Sequence, residues 1–390
     1  MTTTIIITIC SLLLTAYLFD LTSSRTKIPS VILLLLVGFI ARQASDALEI
    51  RLPDLSTLLP VFGTVGLILI VLEGSLELEL HRSKIGLIRR SFWSALLPVL
   101  GLSLILATVL YYSGTFSFKD CLVNAIPLAV ISSSIAIPSA KNLSTEEKEF
   151  VVFESSLSDI FGVLFFNFVA LNEVIDVMSF AHFGWQLLVI CVVSFIATIG
   201  LAFLLGKIKH HIKYTPIVIL VILIYTVSKL FHLPSLLFIM LFGLFLGNIN
   251  SMHRFKWISR LKPAVLNREV QKLREILGEG TFLIRSIFFL LFGFLMEMED
   301  LLNLYSLQWA AGIVGLIFIF RYAQLKFMKH QVKPLVFIAP RGLITVLLFL
   351  SVSPDQVISL VDKSLVVQVV ILTAFVMMAG LMMNRSARQN

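Results

Sequence analysis

Apolar runs of about twenty residues recur along the whole chain, the length a helix needs to cross the hydrocarbon core of a bilayer. Thirteen can be placed in the 390 residues, at 3–19, 28–41, 56–76, 91–112, 121–141, 150–171, 183–206, 215–231, 234–249, 277–297, 306–325, 334–352 and 364–384. Composition agrees, with 58% hydrophobic residues, 14% charged and a mean hydropathy of +0.97. A soluble domain carries about a quarter charged residues. The sequence therefore predicts an all-α polytopic membrane protein. No basic residue precedes the first run and no small-residue cleavage site follows it, so it reads as a retained span and not a signal peptide. Several runs are short for a full crossing, which fits tilted or broken helices inside a bundle. Cys10, Cys121 and Cys191 are scattered through apolar stretches and suggest neither a metal site nor a disulfide framework.

Orientation follows from the basic residues. Most of the 31 Lys and Arg fall in the loops after spans 1, 3, 5, 7, 9 and 11 and in the C-terminal tail, as in His81–Arg90 and Ser251–Leu277. The opposite loops hold only Arg42, Arg51, Lys119, Lys229 and Lys363. Positive loops stay inside, so the expected arrangement is N-terminus out and C-terminus in. The net charge of +8 is then accounted for by topology and lipid headgroups, with nothing pointing to nucleic acid. Trp93, Trp185 and Trp309 each start a span, as interface anchors do. Arg254, Lys256, Arg260 and Lys262 around Trp257 read as a basic interfacial helix on the cytosolic leaflet. His182, His210, His211, His232 and His330 fall in loops or at span ends and read as surface residues.

Against this background two acids stand out. Glu154 and Asp159 lie within Phe150–Leu171, a run otherwise of Val, Phe, Leu, Gly and Ser. A charged group at bilayer depth costs roughly 2.5 kcal/mol or more, so intramembrane acids line a water cavity or pair with a base. Arg285 and Arg341 stand inside spans 10 and 12 as the candidate bases. Helical geometry puts Ser155 on the face of Asp159 and Ser158 on that of Glu154, while the two acids diverge by roughly 140°. We assign Asp159 to a cavity with Ser155 and Ser158 beside it, and Glu154 to a buried ion pair with an arginine. The reverse assignment, and a structural arrangement in which both acids pair with both arginines, stay open on the sequence.

Two spans look broken. In span 5, Pro127 and Pro138 bracket Ser132, Ser133 and Ser134, and each proline removes a helix hydrogen bond. Span 12 carries Ala339-Pro-Arg-Gly342. The two are seven spans apart, the offset expected if residues 3–171 and 215–384 are inverted six-helix repeats around a linker helix at 183–206. Interrupted helices at matching positions of two halves point to a midplane binding site. Na⁺, Li⁺ or K⁺ would take hard oxygen ligands there: the Asp159 carboxylate, the Ser155 and Ser158 hydroxyls and carbonyls near Ser133 and Ser134. A buried carboxyl group can hold a proton or a cation near neutral pH. One such acid predicts electroneutral 1:1 exchange.

The chain also resembles a known family. Glu154-Ser-Ser-Leu-Ser-Asp159 is similar to the Glu-Ser-x-x-Asn-Asp signature of the monovalent cation:proton antiporters of the sodium/hydrogen exchanger, NhaP-like, branch. Ala339-Pro-Arg-Gly342 resembles its Pro-Arg-Gly element, Lys27–Gly38 the start of its second helix, Leu72–Leu78 the end of its third and Phe288–Gly293 its tenth. The resemblance covers essentially the whole chain. It implies that Asp159 binds cation and proton alternately, that Glu154 pairs with Arg341, and that an acid near the cation path corresponds to Glu73, which at the end of span 3 reads equally as a solvated helix-end acid. It further implies a homodimer with an elevator-like core in the inner or plasma membrane, working without a cofactor. Two positions depart from the pattern. Ser158 replaces the family's Asn, and Ser132-Ser-Ser-Ile-Ala136 replaces the fifth-helix Thr-Asp-Pro, more like the Ser-Ser-Thr-Ala of potassium-efflux relatives. The chain is expected to be one membrane domain without a soluble regulatory domain. A channel-like cation pathway and a non-transporting sensor on the same fold are the alternatives. No nucleophile–base pair or metal cluster suggests an enzyme.

Overall fold

The computed structural model describes residues 2–26, 28–47, 55–78, 84–140, 143–172, 176–207, 214–231, 233–249 and 263–386, and among these every regular element is helical. Eight helices are long and apolar enough to cross a membrane, and three shorter apolar helices accompany them. The chain is thus a helical polytopic membrane protein. His210, His211, His232 and the basic stretch up to residue 262 lie outside the described residues.

Two groups of helices pack side by side. The first comprises α1 (Thr2–Thr26), α2 (Ser30–Ala47), α3 (Leu58–Glu77), α9 (Val177–Lys207), α10 (Tyr214–Leu230), α11 (Ser235–Gly247) and α12 (Pro263–Phe294), where α2 and α3 lie on α12 and α3 and α9 lie on α11. In hydrocarbon no hydrophobic force drives helices together, so close backbone approach at small residues does the work. A Cβ at Gly38 would stand 2.2 Å from the Leu290 carbonyl oxygen, and one at Gly293 2.3 Å from that of Leu35, so α2 and α12 touch backbone to backbone. Gly247 seats α11 on α3 in the same way, where a Cβ would meet the Leu76 carbonyl oxygen at 2.6 Å.

The second group holds α4 (Ile85–Leu97), α5 (Ser103–Ser113), α6 (Phe118–Ala129), α7 (Ser133–Ser139), α8 (Thr145–Leu171), the short α13 (Met298–Leu302), α14 (Leu304–Phe327), α15 (Leu343–Leu350) and α16 (Lys363–Ser386). A π-helical stretch at Pro98–Leu102 joins α4 to α5, at a proline that cannot donate to the ladder. Ser144 and Glu147 form a capping box that starts α8 before the apolar run begins, so the helix is longer than the predicted span. The groups meet where α3 faces α15, α7 and α8, with Leu347 packed at Gly63 and Ser156 at Gly74.

Both expected breaks are present. The fifth span is α6, an extended link at 130–132 and α7. The twelfth is a 3₁₀ turn at Leu335–Phe337, an irregular link at 338–342 and α15.

The α2–α12 contact leaves no room for a side chain. Gly38→Ala should therefore lower the thermal unfolding temperature in detergent, by an overpacking cost of roughly 1–3 kcal/mol. Gly184→Ala, where a Cβ meets nothing within 4 Å, should leave it unchanged or raised.

Candidate functional site

Each half-helix created by a break ends on backbone groups that have lost their intrahelical partners, and inside a bilayer these must be satisfied by the protein. The two unwound links of this chain satisfy each other. Ser132 N–H donates to the Pro340 carbonyl at 3.0 Å, and Arg341 N–H donates to Thr373 Oγ1 at 3.0 Å. Arg341, 1% exposed, then spends its guanidinium on carbonyl oxygens: Nε on Leu128 at 2.6 Å, Nη2 on Ala129 at 3.3 Å and Nη1 on Ala339 at 2.9 Å. Leu128 and Ala129 are the last residues of α6, so a fixed cation closes the negative end of that half-helix.

This corrects the expected pairing of Glu154 with Arg341. Among the described residues Arg341 has no carboxylate partner, because the carbonyls orphaned by the break occupy it. Glu154 instead takes Arg321 of α14, whose Nη1 bonds Oε1 and whose Nη2 bonds Oε2 at 2.6 Å, with both side chains 2% exposed. Arg321 also points Nε and Nη2 at the Leu335 carbonyl, each at 3.4 Å. It thereby ties α8 to the turn just before the second break. The sequence reading named only Arg285 and Arg341 as embedded bases and passed over Arg321. Its position within 306–325, on the apolar stretch Phe318-Ile-Phe-Arg321, was the available signal.

Asp159 occupies the other face of α8, 1% exposed. Ser133, the first residue of α7, donates its hydroxyl to Oδ2. Oδ1 is buried with no hydrogen-bond partner among the described residues. Ser158 accepts the Ile131 N–H at 3.0 Å, which pins the extended link against α8. Ser134 shares a 2.8 Å hydroxyl contact with Ser132, and Ser155 donates to the Val151 carbonyl at 2.7 Å. Of the expected group, Asp159, Ser133 and Ser158 are thus bonded across the break, Ser134 lies within it, and Ser155 turns its proton to its own helix. Two close approaches shape the place: a Cβ at Gly162 would stand 2.3 Å from Val130 Cγ2, and one at Gly342 2.7 Å from Ile135 Cδ1.

Glu73 stands apart from these residues. It faces α12, where a Cβ at Gly278 would lie 3.5 Å from its Oε1, and no hydrogen bond or ion pair joins it to Asp159 among the described residues. Nearby, Arg274 pairs with Glu77 at 2.7 Å, and Arg285 reaches Asp20 of α1 at 3.6 Å. That contact answers which group the second embedded arginine faces.

A buried carboxylate oxygen without a partner is an expensive feature, removed only when a proton or a cation neutralises it. The Ser133 hydroxyl is bonded to the other oxygen of the same carboxylate.

Comparison with known proteins bears on the family and the fold. Residues 9–384 match the family described as sodium/hydrogen exchanger, transmembrane. No curated protein sequence matches. Among solved structures, the chain is similar to the sodium proton antiporter MjNhaP1 from Methanocaldococcus jannaschii at pH 8, with a TM-score of 0.67 and 17% identity over 98% of this chain and 96% of that one. An electron-microscopy structure of the same antiporter gives a TM-score of 0.65 and 18% identity over 99% and 96%. At these identities the likeness concerns the fold.

Breaking the buried pair leaves one uncompensated charge. Glu154→Gln and Arg321→Met should each destabilise the protein by about 3–5 kcal/mol in thermal or denaturant unfolding, and the double variant should recover much of that loss. Additive losses in the double variant would contradict the pairing.

Proposed function

The chain belongs to the sodium/hydrogen exchanger family, and on that premise we propose that it is a secondary antiporter in which Asp159 carries a monovalent cation and a proton in turn. The cation is Na⁺ or Li⁺, with K⁺ a third candidate. The observation that carries this reading is the Asp159 Oδ1 atom, buried without a partner among the described residues and beside two unwound links. Such an oxygen demands a positive ligand, and both cargo species supply one. Only one of them can occupy it at a time, which is the competition that couples their movements.

A bound cation would take Asp159 together with the Ser133 and Ser158 hydroxyls, Ser134 and carbonyls of the extended link, with Ser155 joining if its hydroxyl turns from Val151. Glu73 lies away from this set and serves, on this reading, as a charged group of the α3–α12 contact. Glu154 is paired with Arg321, and Arg341 is hydrogen-bonded to carbonyl oxygens, so both are held by fixed partners. A single exchanging acid then moves one proton against one monovalent ion, an electroneutral 1:1 cycle. A serine replaces the fifth-helix acid of relatives, so ion choice rests on neutral oxygens, which favour no particular alkali cation by charge.

The architecture supports the same proposal. Thirteen crossings, an N-out and C-in orientation, and two inverted repeats, 3–171 and 215–384 around 183–206, agree with the basic-residue asymmetry and with the matched breaks. The second helix group would move as a body against the first, across the Gly63–Leu347 and Gly74–Ser156 contacts. We assign the protein to the inner or plasma membrane, working as a homodimer.

In proteoliposomes, dye-monitored proton flux driven by Na⁺, Li⁺ or K⁺ should be lost in Asp159→Asn while thermal stability is kept or raised, because the substitution removes an uncompensated buried acid. Full flux in that variant would overturn the assignment. Ser133→Ala should raise the apparent KM for the cation by about tenfold, the equivalent of one charge-assisted hydrogen bond.

A further inference from the structure

The ends of five helices meet at one end of the bundle, the outer face on the orientation proposed above, and leave a cleft between the two helix groups. α2, α3 and the last turn of α12 form one wall, and α15 and α16 form the other. Its volume is about 460 Å³, inside the range of small-ligand sites, ~300–1,000 Å³. Leu59, Phe292, Val346 and Val367 give it an apolar lining. Three charged side chains share the same cleft: Arg42 on α2, Lys363 at the start of α16, and Glu297 where α12 gives way to α13. Val367 lies one turn deeper into α16 than Lys363, and Val346 one turn deeper than the end of α15. The cleft is therefore charged toward the helix ends and apolar further in.

Neither cation is exhausted by its partner. Arg42 meets Asp46 through Nε at 2.9 Å, which leaves both Nη groups, and its guanidinium lies over the Phe294 ring at 5.6 Å. Lys363 meets Asp300 at 2.7 Å through one of its three ammonium hydrogens. Asp46 and Asp300 are not among the residues that line the cleft. Glu297 is exposed and forms no ion pair among the described residues. With both pairs counted, three acids stand against two cations, which disfavours a ligand of net negative charge. A free anion would also leave the apolar lining wet, and a purely apolar molecule would leave the charged groups unused. A phosphate, an ammonium and a hydrocarbon chain in one molecule satisfy all three features, and a bilayer supplies such molecules at this depth.

We propose that the cleft is a binding site for one phospholipid with a primary-ammonium headgroup: its phosphate lies between Arg42 and Lys363, its ammonium on Glu297, and one acyl chain against Phe292, Val346 and Val367. An ammonium with three hydrogens donates to a carboxylate and a trimethylated one cannot, so Glu297 distinguishes the two. Arg42 belongs to the first helix group and Lys363 to the second. The lipid thus spans the boundary between the groups and ties their outer ends together. None of the residues around Asp159 lines this cleft, so the site is separate from the proposed exchange site.

The test is native mass spectrometry of the purified full-length protein, titrated with dioleoyl phosphatidylethanolamine, phosphatidylcholine or phosphatidylglycerol. The first lipid bound per chain should be held about tenfold more tightly for phosphatidylethanolamine than for the other two, the equivalent of one charge-assisted hydrogen bond. Glu297→Gln should abolish that preference. Arg42→Gln combined with Lys363→Gln should weaken all three lipids by about tenfold or more. Leu350→Trp, at an exposed position of the cleft wall, should exclude the chain and lose the tightly held lipid. All four positions reach solvent, so the unfolding temperature in lipid-free detergent should match the wild type, which separates a lost site from a lost fold. Equal retention of the three lipids by the wild type, or a preference that survives Glu297→Gln, overturns the proposal. Tightest binding of phosphatidylglycerol overturns it as well, because the headgroup read would then be an anion. No arm of the test requires transport, so a failure of the exchange reading leaves this result undisturbed.

Discussion

Inside a bilayer no water is available to satisfy a polar group, so every charge and every unwound backbone atom must be matched by another part of the protein. In this chain that requirement is met almost completely around α8, and the arrangement of the second helix group follows from it. Breaking the fifth span releases the carbonyls of Leu128 and Ala129, and Arg341 arrives from the other break to take them. Breaking the twelfth releases the Pro340 carbonyl, and Ser132 returns an N–H to it. Neither break is stable alone; each supplies what the other lacks. Glu154 and Arg321 then fasten α8 to this crossing through Leu335, with both ends of the carboxylate occupied.

Depth in an apolar run was sufficient to find Glu154 and Asp159, because a misplaced charge is visible without any fold. The breaks were legible for a similar reason, since Pro127, Pro138, Pro340 and Gly342 interrupt runs that would otherwise read as plain helix. Pairing was not legible. Arg341 sits in the more conspicuous motif and so attracted the partnership with Glu154, but a guanidinium among orphaned carbonyls has no need of a carboxylate. Arg321 lies in the last turns of α14 with other basic residues close behind it, so in sequence it merges with a basic loop and its depth does not stand out. Which face of α14 meets α8 is a property of helix packing, and one-dimensional spacing does not contain it. His330 was misplaced for the same reason: the chain leaves α14 as a loop but folds the ring back onto Phe150.

Glu73 marks a different limit. Its place near the end of a span made it equally suited to a cation path and to a solvated helix end. Packing decides, because Gly74 rather than Glu73 presents itself to α8 and α7, at Ser156 and Ile137. One residue along a helix is a turn of about 100°, which carries the carboxylate to α12 and the company of Arg274, Arg285 and Thr281. Acids on α3 thus belong to the packing of the first helix group, whereas Asp159 on α8 lies at the first break, bonded by Ser133.

What remains at Asp159 is then determined by subtraction. Glu154 and Arg341 are held by fixed partners, and so are the N–H groups of Ile131, Ser132 and Arg341, so none of these can move without dismantling the crossing. Asp159 alone holds one oxygen in a bond from Ser133 and keeps the other unmatched. Among the described residues the buried polar atoms of α8 without a partner are Asp159 Oδ1 and Ser156 Oγ, and only the first belongs to an ionisable group, so the local electrostatic cost falls there. Binding energy gained there is spent on neutralisation, and it is released whenever the neutralising ion departs. An empty, ionised Asp159 would be costly to carry through hydrocarbon, whereas a protonated or cation-bound one is not. On the exchange reading proposed above, the same imbalance that makes the site bind would make the unloaded carrier slow to cross, and that asymmetry would couple the two movements.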